Sequence, residues 1–466
     1  MKIQFVGAAR QVTGSCYYLE GQGIRLLVDC GLHQERDYLD RNWDPFPFDP
    51  ASLDAVLLTH VHLDHSGLLP RLVREGYSGP VITTQASQEL LPIVLLDSAH
   101  IQEEDAAFKQ KRHAREGRRG PHPEVPLYTT QDAQAVLPHV RAVSYEQSVD
   151  LPGGLTAVLH DAGHILGSAM IELIIRENGA ERRVIFSGDI GQWDKPIVCD
   201  PTVFAKADDI IMESTYGDRD HEDPMSIEDM LADIVNRTVQ AGGNVVIPTF
   251  AIERAQDLLY FLGRLLAHKR IRPLTAFLDS PMAVDITEVF ERHQEFMDKE
   301  LQNLIKSGVH PFRFPGLHLV RTPEESKAIN TIHGSCLIMA GSGMCTGGRI
   351  KHHLIQNITR PECTILFVGY QAQGTLGRQI LEGRSSVRIL GPTYSVKARV
   401  AQIQGFSAHA DRKSLLRWLG NFQKPPRRLF VVHGEPQVSE GLATVIRDTM
   451  KWPVVVPGHL EQWNLE

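Results

Sequence analysis

The sequence predicts an α/β fold, and three observations carry that reading. Short apolar runs at 25–28, 55–59, 184–187 and 209–212 end in turn chemistry, as buried strands do. Longer stretches at 85–108, 226–241 and 253–268 carry apolar residues at three- and four-residue spacing, the pattern of amphipathic helices. The alternation starts afresh from Asn244, with a strand at 245–248, a helix at 254–266 and a further strand at 274–278, as in a doubly wound unit. A second domain is placed there.

Length and composition agree. A chain of 466 residues exceeds one core of ordinary size, while 42% hydrophobic and 22% charged residues are globular values. The longest apolar run, at 90–96, is interrupted by Pro92 and is far short of a membrane span, so no membrane partner is expected. The N-terminus turns polar too early for a signal peptide, and six scattered cysteines without a CxxC fit the cytoplasm better than a disulfide framework or a thiolate zinc site. Net charge is −8, a mild argument against a polyanionic partner unless positive charge is gathered locally. The basic stretch at 109–119, closed by Gly120 and Pro121, reads equally as a solvated helix end or as a phosphate-contacting arm.

The chemistry concentrates among the 21 histidines. His60, His62, Asp64 and His65 directly follow the strand at 55–59, so a loop leaving a rigid strand presents three imidazoles and a carboxylate. Clustered protonated histidines repel, whereas a divalent metal takes them as neutral donors and takes the carboxylate as an anion. His60 and His62 point the same way along an extended segment, and Asp64 and His65 fall on the next turn, which suggests two metals. Zinc suits so imidazole-rich a set, with manganese the alternative where carboxylates share the load. Further candidates stand at other strand ends: His164 after the run at 155–159, Asp189 after 184–186 and Asp29 after 26–28. Asp189 can bridge two ions through its two oxygens, and Asp29 can accept a hydrogen bond from a ligand imidazole.

With Asp29 before it and His164 and Asp189 after it, the motif at 60–65 resembles that of the metallo-β-lactamase superfamily, whose αββα fold carries a dinuclear zinc site at strand ends. Glu213 within Met-Glu-Ser-Thr-Tyr-Gly, His409 within Gly-Phe-Ser-Ala-His-Ala-Asp and His433 within Val-Val-His-Gly-Glu resemble the three added motifs of the β-CASP nucleases. The resemblance spans nearly the whole chain and implies a metallo-β-lactamase domain at 1–215 and 391–466 with a β-CASP domain inserted at 216–390. It implies that His60, His62 and His164 hold one zinc, that Asp64, His65 and His433 hold a second, and that Asp189 bridges them. It pairs Glu213 with His409 near the scissile phosphate. A histidine in the third added motif accompanies RNA-processing members, so His433 favours RNA. The motif at 60–65 comes too early for the preceding RNA-binding modules of archaeal relatives, so the chain is expected to resemble compact bacterial-type members.

The expected reaction is hydrolysis of single-stranded RNA, endonucleolytic with 5′ to 3′ trimming as a further mode. Two metals roughly 3.5 to 4 Å apart flank an in-line displacement, and a bridging water with its pKa lowered to about 7 is hydroxide at working pH. His409, oriented by Glu213, is the candidate general acid or phosphate ligand, and Asp29 joins these two in the candidate catalytic set. Gly341, Ser342 and Gly343 open a glycine-rich loop before a helix at 350–358, where backbone amides can approach a phosphate. Arg349, Arg378 and Ser407 complete the phosphate-contacting candidates, and basic residues from 371 to 399 could extend a groove between the domains. The alternatives are a metallo-hydrolase of another ester or phosphodiester on the same fold, or an RNA-binding pseudo-nuclease. A homodimer is the assembly left open.

Overall fold

The computed structural model describes residues 1–117, 120, 122–177, 179–221, 227–369 and 371–465. Arg118, Arg119, Pro121 and Ser226, on which parts of the sequence reading fall, lie outside the described residues. The chain forms two compact units, one of Met1–Asp220 with His409–Glu466 and one of His221–Ala408. The first passes through β1 (Lys2–Phe5), β2 (Tyr17–Gly21), β3 (Ile24–Val28), β4 (Ala55–Leu57), β5 (Val81–Thr84) and β6 (Val140–Val143). It continues through β7 (Ser148–Leu151), β8 (Leu155–Asp161), β9 (Ala169–Glu177), β10 (Ala180–Phe186) and β11 (Asp209–Glu213). The second unit supplies β12 (Val245–Pro248), β13 (Thr275–Asp279), β14 (Leu317–Leu319), β15 (Cys336–Ala340), β16 (Thr364–Phe367), β17 (Ser386–Arg388), β18 (Thr393–Ser395) and β19 (Arg399–Gln402). The returning chain adds β20 (Arg428–Val432), β21 (Val454–Val455) and β22 (Gln462–Asn464) to the first unit.

Two seven-stranded sheets make up the first unit, in the orders β22-β1-β2-β3-β4-β5-β6 and β21-β20-β11-β10-β9-β8-β7. Each is antiparallel at one end and parallel at the other, with β3 to β6 parallel in the first and β10, β11, β20 and β21 parallel in the second. Strand alternation sorts the side chains: Phe430 and Val432 join Leu19, Leu26 and Leu57 of the facing sheet in one core, while Leu429 and Val431 point the other way. That outer face is covered by helices Arg412–Leu419 and Pro436–Met450 through Leu415, Trp418, Leu442 and Ile446. The buried Trp418 indole N–H donates to Thr202 O at 2.8 Å, so the helix brings no unsatisfied donor into the core. On the opposite side the long helix Gln85–Glu116 packs on β5 and β6. The layering is αββα.

The second unit is a six-stranded, wholly parallel sheet in the order β14-β13-β15-β12-β16-β19, with the hairpin β17-β18 beside it. The restart of alternation at Asn244 is the beginning of this sheet. Its chain runs further than the expected 216–390, because β19 pairs with β16 and keeps the segment up to Ala408 in the second unit. The long helix also runs further than the expected 85–108. Residues 109–116 have no apolar stripe but consist almost wholly of good helix formers, and Gly117 ends the helix in the left-handed region at φ 63°. Among the described residues no helix is long and apolar enough to cross a membrane.

Candidate active site

The ends of several parallel strands converge in the first unit. His60 lies just beyond β4, and the chain then enters a single helical turn, Leu63–Ser66, capped by His62, whose carbonyl accepts from His65 N and Ser66 N, both at 2.9 Å. This turn separates the motif into two pairs, because His60 and His62 precede it and Asp64 and His65 ride on it. His164 follows β8, Asp189 follows β10, Glu213 ends β11 and His433 follows β20. Gly188, at φ 53°, lets the β10 loop approach β4: a Cβ there would meet Thr59 Cβ at 2.9 Å.

The side chains form two groups around Asp189. Asp189 Oδ2 lies 3.4 Å from His60 Nε2 and 3.5 Å from His164 Nε2, and His62 Nδ1 is 3.1 and 3.3 Å from the same two nitrogens. Asp189 Oδ1 lies 3.2 Å from His65 Nε2 and 3.6 Å from His433 Nε2, while Asp64 Oδ2 is 3.5 Å from His433 Nε2. In each group one atom per residue lies within 4.8 Å of the others. Each oxygen of one carboxylate thus faces its own set of imidazoles.

The donor chemistry fits divalent cations. Asp189 Oδ1 is fully buried and accepts no hydrogen bond from any described residue, an arrangement that is costly for an anion without a cation partner. Burial and the neighbouring His65 push His60 down to about 4, and burial and His60 push His62 down to about 3, so both present neutral lone pairs. Burial alone would raise Asp189, but His433, His65, His409 and His60 hold it well below the usual carboxylate range. Burial likewise works against protonation of His65 and His433, yet Asp189 together with Asp29 at His65, and with Asp64 at His433, outweighs it and raises both, so a cation binding there displaces a proton. A third grouping, Asp189 with Glu213 and His433, is equally compact. Glu213 Oε1 already accepts from Ile190 N at 2.6 Å and Oε2 from Thr215 Oγ1 at 2.5 Å, which disfavours it as a ligand.

A second layer aims these donors. Asp29 is buried behind His65 and accepts from its Nδ1 at 2.7 Å, and also from Thr59 N at 2.8 Å, which leaves His65 Nε2 to face the site. Asp29 is therefore a positioning residue rather than one that meets the reacting atoms. Thr215, which the sequence reading missed, does the same for His433. Its hydroxyl donates to Glu213 and so must accept from His433 Nδ1, 3.1 Å away, leaving Nε2 toward the site. His433 itself sits at φ 50°, a costly conformation for a non-glycine residue. Two backbone bonds from the N-terminal loop region hold it there, His433 N to Ala8 O at 2.7 Å and Gly434 N to Gln11 O at 3.1 Å.

His409 arrives on the returning chain and is anchored by Ala410 N donating to Ile190 O at 2.7 Å. Its Nδ1 lies 3.3 Å from Glu213 Oε1 and 3.8 Å from Asp189 Oδ2, and its side chain is 22% exposed where Glu213 is buried. Burial alone would lower its pKa, but Glu213 and Asp189 outweigh it and push it up to about 9. The neighbouring carboxylates thus favour the protonated ring, which is reachable from solvent.

The six phosphate candidates all lie in the second unit. The loop opened by Gly341, Ser342 and Gly343 follows β15, and Gln371 Nε2 donates to Gly343 O at 2.9 Å. Gly377 N donates to Met344 O at 3.2 Å, so the loop is tied to the helix Leu376–Leu381 that carries Arg378, itself paired with Glu382 at 2.7 Å. Arg349 departs from its expected part: its guanidinium donates to buried Asp279 at 2.6 Å and to Arg321 O at 2.7 Å. The amides of Ile350 and Lys351, at the start of helix Ile350–Asn357, are taken by Gly341 O and Gly348 O at 3.0 and 3.4 Å. Ser407 is half-buried and immediately precedes Ala408, the last residue of the unit.

Three family profiles match the chain in order: the metallo-β-lactamase superfamily at 9–220, the β-CASP domain at 255–380, and the Zn-dependent metallo-hydrolase RNA specificity domain at 393–457. A protein named Ribonuclease TTHA0252, from Thermus thermophilus, is 40% identical over 94% of both chains. The chain belongs to the β-CASP ribonuclease family of the metallo-β-lactamase superfamily. Members in archaea extend the likeness: a protein named Transcription termination factor FttA, from Methanocaldococcus jannaschii, is 32% identical over 99% of this chain and 71% of its own. A crystal structure of a protein of unknown function from Enterococcus faecalis matches over 99% of both chains with a TM-score of 0.53 and 11% identity, a likeness of fold alone. The β-CASP family membership makes the chain a metal-dependent RNA hydrolase, and the cluster around Asp189 is where a divalent metal fits.

Proposed function

We propose that this β-CASP enzyme is a dinuclear zinc ribonuclease that cuts single-stranded RNA internally and trims it from the 5′ end. His60, His62 and His164 would hold one zinc and Asp64, His65 and His433 the other, with Asp189 available to both. The observation that carries this reading is the division of Asp189, one oxygen to each imidazole set. When bound, the metals supply positive charge that neutralises the phosphoryl oxygens and an activated water.

The chain's own residues supply the rest. His409 holds a proton on a ring that solvent and substrate can reach, and it gives that proton to the leaving oxygen as the P–O bond breaks. Glu213, fixed by Ile190 N and Thr215, orients the ring and maintains its charge. Asp29 and Thr215 fix the tautomers of His65 and His433. Manganese is the alternative metal, since two carboxylates share the site with five imidazoles.

The test is cleavage of 5′-labelled RNA and DNA with and without chelator, beside His409→Ala. Cleavage of RNA that chelator abolishes, with a drop of about a hundredfold or more in the variant, is expected. Chelator-insensitive cleavage or a fully active variant would overturn the mechanism, and equal cutting of single-stranded DNA would overturn the RNA preference.

A further inference from the structure

The long helix Gln85–Glu116 serves the site at one end only. Thr84, which caps it, and Ser87 in its first turn donate their hydroxyls to Gly167 O at 2.7 and 3.0 Å, three residues beyond His164. From there its 32 residues run about 48 Å along the axis. The first half is core, with Leu90, Leu91, Val94 and Leu95 buried. In the last turns only Ala106 is buried; His113 is half-buried against the Glu124 carboxylate at 2.5 Å, and the exposed Gln110 donates to Glu124 O at 2.5 Å.

The remainder of that end is exposed and has a distinct character. Residues 106–115 carry Lys109, Lys111, Arg112 and Arg115 between the carboxylates at 103–105 and Glu116, which pairs with Arg112 at 2.9 Å and leaves the other three cations for a partner, in a chain whose net charge is −8. Phe108 stands among these cations and is 66% exposed, the most exposed large apolar side chain among the described residues. Phe108, Lys111 and Arg115 follow at three- and four-residue spacing and so share one face. Cations near a helix C-terminus are favoured by its dipole, which accounts for the last turn but not for the cations placed next to the ring of Phe108. An exposed ring flanked by cations is what single-stranded nucleic acid recognises, the ring stacking on a base while the cations meet phosphates.

We propose that the outer end of this helix, at Phe108, Lys109, Lys111 and Arg115, is a second RNA-binding site that holds a stretch of the substrate distant from the point of cleavage. The proposal rests on the ribonuclease reading above. Only an RNA long enough to run from the catalytic cluster along the helix engages both, so the arm favours long substrates over short ones.

The experiment measures RNA affinity by fluorescence anisotropy in the inactive His409→Ala background, with a long and a short single strand, across a salt series. The triple variant Lys109→Glu/Lys111→Glu/Arg115→Glu is expected to lose about tenfold or more in affinity for the long RNA and about two units of salt slope. Phe108→Ala is expected to lose about fivefold. In the otherwise wild-type chain both variants should cleave the short RNA as before, with unchanged melting temperature and helix content. Unchanged long-RNA affinity, an equal loss on short and long strands, or an altered self-association with RNA binding intact would each overturn the proposal. A parent protein that binds and cleaves no RNA at all would instead overturn the ribonuclease reading beneath it.

Discussion

Each unit of this molecule buries a carboxylate near the end of an inner strand and sets histidine against it, yet the two arrangements do opposite things. In the second unit, Asp279 Oδ2 accepts from His353 Nε2 at 2.6 Å and Ser326 Oγ at 2.5 Å, and Oδ1 accepts from Arg349 at 2.6 Å. The contacts are short and one of them is to a guanidinium, so the anion is satisfied. In the first unit, the nitrogens around Asp189 stand 3.2 to 3.8 Å away and Oδ1 accepts no hydrogen bond from a described residue. Buried histidine beside buried carboxylate is therefore not itself a sign of metal. The sign is several imidazoles that converge on one carboxylate at 3.2 to 3.8 Å with no hydrogen bond from a described residue to its buried Oδ1.

The largest expected separation between the two comes from removing each carboxylate. Asp189→Ala should lower RNA cleavage by about a thousandfold or more and strip metal from both groups, read by kinetics and elemental analysis. Asp279→Ala should leave metal content intact and instead destabilise the protein by about 3 to 5 kcal/mol in denaturant unfolding, because Arg349 and His353 are left without their buried anion. If Asp279→Ala lost metal, or Asp189→Ala kept it, the contrast would be broken.

Thr215→Val sharpens the contrast at smaller scale. Without the hydroxyl, His433 Nδ1 loses its acceptor, and metal affinity should fall about 10- to 100-fold, read by competition with a chromophoric chelator. Chelation should separate the units as well. Hydrogen exchange should quicken around residues 60–66, where the cation would tie a helical turn to three other strand ends, and stay unchanged at β13 and Asp279.

The smallest expected effect is a pH dependence. Burial alone would raise the Asp279 carboxyl, but hydrogen bonds from His353, Ser326 and Arg349 outweigh it and hold the carboxyl below its ordinary value. A group depressed in the folded state adds stability that is full above its unfolded pKa, near 3.8, and is lost as pH falls through the folded value. Acid unfolding curves of Asp279→Asn should lack this contribution on the acid limb. A variant that follows the parent curve at every pH would show that the network holds no charge.

What could be read from sequence follows from where the chemistry is local. The motif at 60–65 was legible because six consecutive residues hold members of both groups, and the strands were legible because their apolar runs are short and closed by turns. Thr215 was not, since a threonine two residues after Glu213 gains its meaning only from His433, which lies 218 positions away in the chain. Arg349 looked like a free cation beside a glycine-rich loop, because its partner Asp279 lies 70 residues back. The outer end of the long helix escaped a periodicity argument because that stretch is exposed nearly all round and has no apolar stripe to find. His353 belongs to the same Asp279 network.

The central claim is that Asp189 is shared between two cations, one in each imidazole group. Anomalous X-ray diffraction from crystals grown with zinc tests it most directly. Two peaks are expected, one among His60, His62 and His164 and one among Asp64, His65 and His433, each next to a different oxygen of Asp189. A single peak, or one whose neighbours are Glu213 and His433, would contradict it.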